Sequence, residues 1–362
     1  MVAPPSESGG LTRVGLSLLT LVPGISGGSE TYARELTRAL GRVGTNDYLA
    51  LVPKLAPDAA DGLTTIVADE YPSSTSTPGR LRAMASAAAR PNRLRNHLAD
   101  VDVVHYPLTI PLPRPTGPHV VTLLDVQHLD QPGLFSRGER AFRKLAYDRA
   151  SRHATEVIVI SEFVRERAID RLGLDPAHVH AVWLGVDHER FSPAPAVERE
   201  PLLLYPARPW AHKNHPRLLE AFREIHNERP ELRLVLTGVG HDARDLPDGV
   251  EARSVSTAEL IDLYRRAACL VFPSLYEGFG LPPIEAMACG CPVAAAAAGS
   301  LPEVCGNAAV LFDPRDPSSI ASGIDEALRR STELSERGLK RAATFTWDET
   351  ARKHDAIYAR FS

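Results

Sequence analysis

Short apolar runs alternate along this chain with longer stretches whose apolar residues recur at helical spacing, and glycine- or proline-rich turns separate the two. The runs at residues 13–21 (RVGLSLLTL), 48–52, 64–68, 103–106 (VVHY), 120–124, 156–161 (EVIVIS) and 179–186 predict buried strands. A second series follows at 202–205, 232–237, 250–255, 269–272 (CLVF), 292–298 and 310–312. Residues 29–40 predict a helix that buries Tyr32, Ala33, Leu36, Ala39 and Leu40, and further helices are expected at 138–153, 163–172, 258–268, 284–289 and 347–361. One more helix carries Leu218, Leu219 and Phe222 on one face, and another begins at Ser318. Residues 80–100 are rich in alanine and arginine and read as helical, with a break at Pro91. Strands that alternate with helices in this way predict an α/β protein with doubly wound parallel sheets. The proline- and charge-rich residues 192–201 read as a linker, and residues 1–10 as a disordered leader to the first strand.

With 362 residues the chain is long enough for two domains of ordinary size. Its net charge of −4 gives no reason to expect nucleic acid as the main partner. Cys269, Cys289, Cys291 and Cys305 have neither zinc-site nor redox spacing and read as reduced structural cysteines of a cytoplasmic protein. No signal peptide and no apolar run of membrane-spanning length is expected.

Candidate chemistry concentrates at residues 272–290 (FPSLYEGFGLPPIEAMACG). This is strand, glycine loop and helix start. Gly278 and Gly280 permit close approach of the backbone to a ligand, and Pro282 or Pro283 suits the first turn of a helix. The amides of Phe279, Gly280, Leu281 and Ile284 then lie at the positive end of a helix dipole, which suits a phosphate. Glu277 precedes the helix and Glu285 lies within it, so the two carboxylates are placed to grip separate parts of an extended, hydroxyl-rich ligand.

The stretch SLYEGFGLPPIEAMACGCPV resembles the E-x7-E signature of retaining glycosyltransferases of family 4, which have the GT-B fold: two Rossmann-like domains facing each other across a cleft. The resemblance covers nearly the whole chain, most strongly residues 205–314. It implies an N-terminal acceptor-binding domain at residues 1–195 and a C-terminal nucleotide-sugar domain at 196–345, with a last helix at 346–362 returning to the first domain. By this resemblance Glu285 binds the ribose hydroxyls of the donor. Glu277 and the amides of Phe279, Gly280 and Leu281 hold the transferred sugar and its diphosphate, with Gly278 in the same loop. RPWAHKN resembles the family's Arg-x4-Lys clamp, so Arg208 and Lys213 neutralise the diphosphate in place of a metal ion. Gly27 and Gly28 face the diphosphate from the opposite domain, Gly238 lines the nucleotide, and Ser254 and Val255 sit near the base. GSLPEV, residues 299–304, resembles a further family motif.

The acceptor side is less defined. Asp125 and His128 follow one strand, and His105 ends another, where open α/β sheets place ligands. Many family members have His-Asp where this chain has Leu124-Asp125, so His128 and His105 stand as acceptor-side candidates, His128 also as a catalytic one. Asp100-x-Asp102 matches a metal-binding pattern but precedes a strand rather than ending one, so no metal role is assigned to it. Arg80, Arg82, Arg90, Arg93 and Arg95 make the segment 80–95 basic. Most such faces are simply solvated; the sharper reading is contact with an anionic acceptor or with the inner membrane face.

The expected reaction moves a hexose from a nucleotide diphosphate sugar, of the GDP-mannose or UDP-glucose type, to a hydroxyl of a glycan, lipid-linked or small-molecule acceptor. The PARPWAHKN form leans towards the mannosyltransferases. Retention is expected by front-face displacement, without metal or other cofactor. The competing readings are a GT-B epimerase or phosphorylase and a non-catalytic partner subunit. A nicotinamide oxidoreductase is disfavoured, since GISGG lacks the dinucleotide fingerprint.

Overall fold

The computed structural model describes residues 11–24, 27–194, 196–240 and 246–362. The disorder expected for residues 1–10 lies outside them, as does one residue of the expected linker. The apolar runs form two wholly parallel sheets. The first contains β1 (Arg13–Ser17), β2 (Asp47–Pro53), β3 (Thr64–Ala68), β4 (Val103–Tyr106), β5 (His119–Leu123), β6 (Glu156–Val159) and β7 (Val179–Ala181), in the order β3-β2-β1-β4-β5-β6-β7. The second contains β8 (Glu200–Pro206), β9 (Arg233–Thr237), β10 (Val250–Arg253), β11 (Ala267–Phe272), β12 (Val293–Ala296) and β13 (Val310–Phe312), in the order β10-β9-β8-β11-β12-β13. Both orders reverse direction beside their first strand, which opens a crevice at the strands' C-terminal ends. The central strands β5 and β12 are buried along their whole length, as parallel strands covered on both faces must be.

The connecting helices in the first lobe are α1 (Gly28–Val43), α2 (Thr77–Ala89), α3 (Pro91–Arg95), α4 (Gln127–Asp130), α5 (Arg137–Arg143), α6 (Arg149–His153) and α7 (Glu162–Leu172). The second lobe has α8 (His215–Glu228), α9 (Thr257–Arg266), α10 (Leu281–Ala288), α11 (Leu301–Cys305), α12 (Pro317–Arg329) and α13 (Ser331–Ala342), and the chain closes with α14 (Trp347–Tyr358). Local chemistry sets several boundaries. Ser256 and Glu259 form a capping box on α9, and α7 ends at Gly173 in the left-handed conformation. The charged helix expected at 138–153 is interrupted by a π-turn at Lys144–Asp148. The expected strand at 179–186 stops at Ala181, where the chain leaves the sheet for the seam between lobes. Strand β8 already begins at Glu200, inside the expected linker.

Helix α14 packs against α1 and ties the end of the chain to the first lobe. Asp355 accepts hydrogen bonds from the Thr45 amide and hydroxyl, the Asn46 amide and side chain, and the Tyr48 hydroxyl. The Tyr358 hydroxyl lies 2.7 Å from His105 Nδ1, and His105 Nε2 lies 2.8 Å from the Thr122 hydroxyl. His105 is therefore no acceptor-site residue: both ring nitrogens are spent inside the core, and burial holds its pKa well below the usual histidine value. Two chain passages join the lobes and meet at Gly185, where an added Cβ would lie 2.2 Å from the Trp347 amide nitrogen. The four cysteines are buried and unpaired. Among the described residues no helix is long and apolar enough to cross a membrane.

Candidate active site

The C-terminal ends of the two sheets face each other across a cleft of about 1490 Å³, large enough for two small-molecule substrates side by side. Much of its lining follows strand ends, at residues 19–22 after β1, 108–110 after β4 and 206–213 after β8, with Leu124, Asp125 and Gln127 after β5 and Tyr276 to Pro282 and Glu285 after β11; the start of α1, α2 and the region of α5 add to it.

On the second lobe's wall, Lys213 Nζ stands 2.5 Å from Glu277 Oε1, with both side chains 14% exposed. The ammonium also lies 5.3 Å from the centre of the Phe272 ring. The pair is held by the turn between β8 and α8. There Asn214 takes a left-handed conformation (φ 63°) and donates to the carbonyls of Pro273 and Pro314 at 3.1 and 2.6 Å. Asn tolerates that backbone better than most residues, and its amide satisfies two buried carbonyls. Arg208 reaches across the cleft to donate to the Gly24 carbonyl at 3.0 Å. It also lies over the indole of Trp210, which is 53% exposed.

Between these cations and α10 runs the loop 277–281. Gly280 has φ +104° and caps α10; Pro282 and Pro283 carry no amide hydrogen, so Gly280 and Leu281, both on the cleft wall, supply the amides of this helix start. Facing them, Gly27 (φ +54°) starts α1, and an added Cβ on Gly28 would come 3.8 Å from the Leu281 side chain. Two helix N-termini thus converge on one space lined by Arg208 and Lys213, an arrangement that attracts a polyanion. Glu285, one turn into α10, accepts from the Tyr264 hydroxyl at 2.9 Å, and burial raises its pKa to about 7.

The first lobe's wall carries Asp125, whose Oδ1 caps the Gln127 amide at 3.0 Å and lies 3.3 Å from Arg143 Nη1. The Arg143 guanidinium rests between Phe135 and Tyr147, 4.7 and 5.3 Å from their ring centres. Of the five arginines of segment 80–95, Arg80 alone is on the cleft wall, beside Leu81 and Met84. His212, whose pKa is lowered chiefly by burial, lines the same space next to Lys213.

His128 is not on the wall. It is 3% exposed, and its Nε2 lies 2.8 Å from the buried Asp148 carboxylate, behind the turn that presents Asp125 and Gln127. It therefore cannot touch a substrate in this arrangement, and neither the catalytic nor the acceptor role expected of it fits. Gly238, Ser254 and Val255 also lie off the cleft wall. Gly238 packs behind the Arg208 turn, its Cβ position 3.2 Å from the Ala207 carbonyl, and Val255 packs on the core at the outer edge of the second sheet. Asp102 accepts from the Arg13 amide at the opposite, N-terminal end of the first sheet, far from the cleft. His212, Trp210, Arg143 and Asn214 had no role from sequence. His212, Trp210 and Asn214 fall inside or beside the RPWAHKN stretch, which was the available signal; Arg143, inside a charged helix, had none.

The sequence model described as Glycosyl transferases group 1 matches residues 187–344, and that of Glycosyltransferase Family 4 matches residues 26–190. The chain belongs to the group 1, family 4 glycosyltransferases. Within this family the Mycolicibacterium hassiacum "MMP alpha-(1->4)-mannosyltransferase" is 30% identical over 237 residues, 59% of this chain and 56% of that protein. The Kineococcus radiotolerans "D-inositol 3-phosphate glycosyltransferase" is 32% identical over 61% of each chain. The "O-antigen chain mannosyltransferase B" of Escherichia coli is 43% identical over 97 residues, 26% of each. The chain thus spans about half or less of the first curated relatives it matches. Among solved structures, sucrose-phosphate synthase from Thermosynechococcus elongatus superposes with a TM-score of 0.77 at 22% identity, covering 96% of this chain and 98% of the other. The glycosyltransferase WaaG superposes with a TM-score of 0.72 at 16% identity, covering 95% and 99%. These likenesses fix the fold as GT-B.

Proposed function

We propose that the protein transfers a hexose, of mannose or glucose type, from a nucleotide diphosphate sugar to a hydroxyl acceptor, with retention and without a metal ion. The observation that carries this is the convergence of Arg208, Lys213 and the amide-bearing start of α10 on one face of the cleft, with the Glu285 carboxylate one turn further on. A diphosphate fits the cations and amides, and a ribose diol fits Glu285. Charge that develops on the departing phosphate is then stabilised by groups already in place. Glu277, paired with Lys213, orients that cation and presents its second oxygen to the sugar. On the described donor wall both carboxylates are already engaged, Glu277 with Lys213 and Glu285 with Tyr264, which argues against either as the nucleophile of a covalent sugar intermediate. A front-face displacement, in which the leaving phosphate takes the acceptor proton, needs no such carboxylate.

For the acceptor, the cleft wall formed by α2, the turn before α5 and α5 itself combines Arg80 and Arg143 with Leu81, Met84, Phe135 and Phe142. That mixture suits an acceptor bearing an anionic group and an apolar part. Contact of segment 80–95 with a membrane surface belongs to the same reading.

The test is direct. Thermal shifts with GDP, UDP and dTDP identify the base, since a bound ligand raises Tm by mass action. The matching radiolabelled nucleotide sugar is then incubated with and without EDTA. Slow release of free sugar, unchanged by EDTA, is expected; an epimerised donor, or no turnover and no thermal shift with any nucleotide, would contradict the reading.

A pH dependence follows from Glu285. Its carboxylate must be ionised to accept from ribose hydroxyls, so affinity for the nucleoside diphosphate should fall as pH drops through about 7. Between pH 8 and pH 6 the loss should be up to about tenfold, the ratio of ionised fractions for such a group. Glu285→Gln should bind more weakly and lack this slope, which separates Glu285 from the ligand's own phosphate titration. The ligand-free protein responds in the opposite sense. A carboxyl raised above its unfolded value contributes stability at low pH that is lost as pH rises through about 7, so Glu285→Gln should gain Tm relative to wild type above that pH. Calorimetry from about pH 4 to pH 8, which spans the rise from 4.5 to about 7, reads both.

A further inference from the structure

The motif at residues 299–304 acquires no role from the cleft, yet it is one of the places where the two lobes are tied together. Glu303, on α11 of the second lobe, directs its carboxylate at the start of α7 in the first. It accepts from the Glu162 and Phe163 amides at 2.9 Å each and from the Trp183 indole at 2.6 Å. The third free amide of that turn, Val164, is capped by Ser161 from within its own lobe at 3.1 Å. The first turn of the eleven-residue helix α7 therefore has its amides satisfied only when the other lobe is docked.

The same segment supports the donor loop. Ser300 donates through its hydroxyl to the Glu277 and Phe279 carbonyls at 3.0 and 2.7 Å, and through its amide to Glu277 at 3.2 Å. A Cβ on Gly299 would lie 2.7 Å from the Glu277 nitrogen, so the two backbones are in direct contact. A second route runs through aromatic rings: Trp183 stacks on Phe345 at 5.2 Å, and Phe279 meets Phe345 edge-on at 5.8 Å. Arg341 lies over Trp183 and Phe345 and donates to the Glu303 and Val304 carbonyls, which fixes α11 from behind.

We propose that Glu303 is a positioning residue that couples closure of the two lobes to the shape of the 277–281 loop. This rests on the glycosyltransfer reading only for its effect on turnover. When the lobes separate, the carboxylate loses two amides and an indole at once, and the Ser300 support of Glu277 and Phe279 loosens with it. Closure on a filled site restores both. The loop that grips the donor is thereby set only in the closed form, where water is excluded.

Hydrogen exchange on the ligand-free, full-length protein tests the coupling without any assumption about substrate. In Glu303→Ala, peptides covering residues 160–166 should lose protection, and so should peptides covering 276–281. Glu303→Gln, which keeps the shape and one acceptor oxygen, should fall between. Loss confined to 160–166 would mean that Glu303 is a local helix cap and would overturn the proposal. Where GDP or UDP binds the wild type, kcat for donor turnover in Glu303→Ala should fall about tenfold or more, as expected when a positioning group is lost, with partial recovery in Glu303→Gln. An unchanged kcat would also overturn it. Failure of the wild type to bind any nucleotide would count against the glycosyltransfer reading and leave the exchange result to decide the coupling.

Discussion

Lys213→Ala is expected to lower kcat/KM for donor turnover by about 10²–10³-fold, the cost of removing one fixed donor to a developing anion, or roughly 2.7–4 kcal/mol. The size follows from the place of the ammonium. It is largely shielded from water, is aimed at the space before α10, and is locked in that direction by Glu277 and Phe272. A mobile surface lysine would matter far less. The same substitution leaves Glu277 without its cation, which should reduce stability by about 1–3 kcal/mol after allowance for its partial exposure. The two effects separate in a double variant. Adding Glu277→Gln to Lys213→Ala should recover much of the Tm and none of the activity. A single variant that kept turnover within about twofold would remove the charge-stabilisation argument.

Gly278→Ala should lower kcat by about 10²-fold while sparing nucleotide affinity. Gly278 has no unusual backbone conformation, so the added methyl costs nothing within the second lobe. Across the seam it would lie 2.3 Å from the Leu124 carbonyl oxygen and 3.3 Å from the Ile160 side chain. A backbone oxygen directly after the end of β5 cannot step aside as the far end of a flexible side chain does, so the lobes must part. The parting also breaks the 2.7 Å bond from the Ser161 hydroxyl to the Gly278 carbonyl. Overpacking of this kind costs about 1–3 kcal/mol, and a misplacement near 1 Å at a reacting centre costs about 10²-fold in rate. Isothermal titration with the nucleoside diphosphate should give a Kd within about twofold of wild type beside a kcat reduced by about that factor. Wild-type kcat would show that this arrangement of the lobes is not the reacting one.

The second lobe was the more legible in the sequence, and the reason is local. Strand, glycine loop and proline-started helix lie within residues 267–288, so the chemistry of α10 is written in consecutive residues. The Arg208–Lys213 turn is similarly compact, and its loop geometry depends on Asn214, which stands next to Lys213. The first lobe defeated the same approach at His105 and His128. His105 lies near the C-terminal end of β4 and His128 follows β5, the ends where a ligand-binding histidine would stand. His105 is closed off by Tyr358, 253 residues away, and His128 by Asp148 at the end of a π-turn that no periodicity marks. Glu303 escaped notice for the complementary reason. Its partners are backbone amides of another lobe, and a sequence carries no mark of which amides are left free by folding. Helix α13 was missed because no strand follows it to set the strand–helix alternation.

The most direct measurement is a crystal structure of the protein with its intact nucleotide sugar. The diphosphate is predicted to lie within hydrogen-bonding distance of Lys213 Nζ, the Arg208 guanidinium and the Leu281 amide, with the ribose hydroxyls on Glu285. A nucleotide bound elsewhere, or a diphosphate turned away from α10 and held by other groups, would contradict the account.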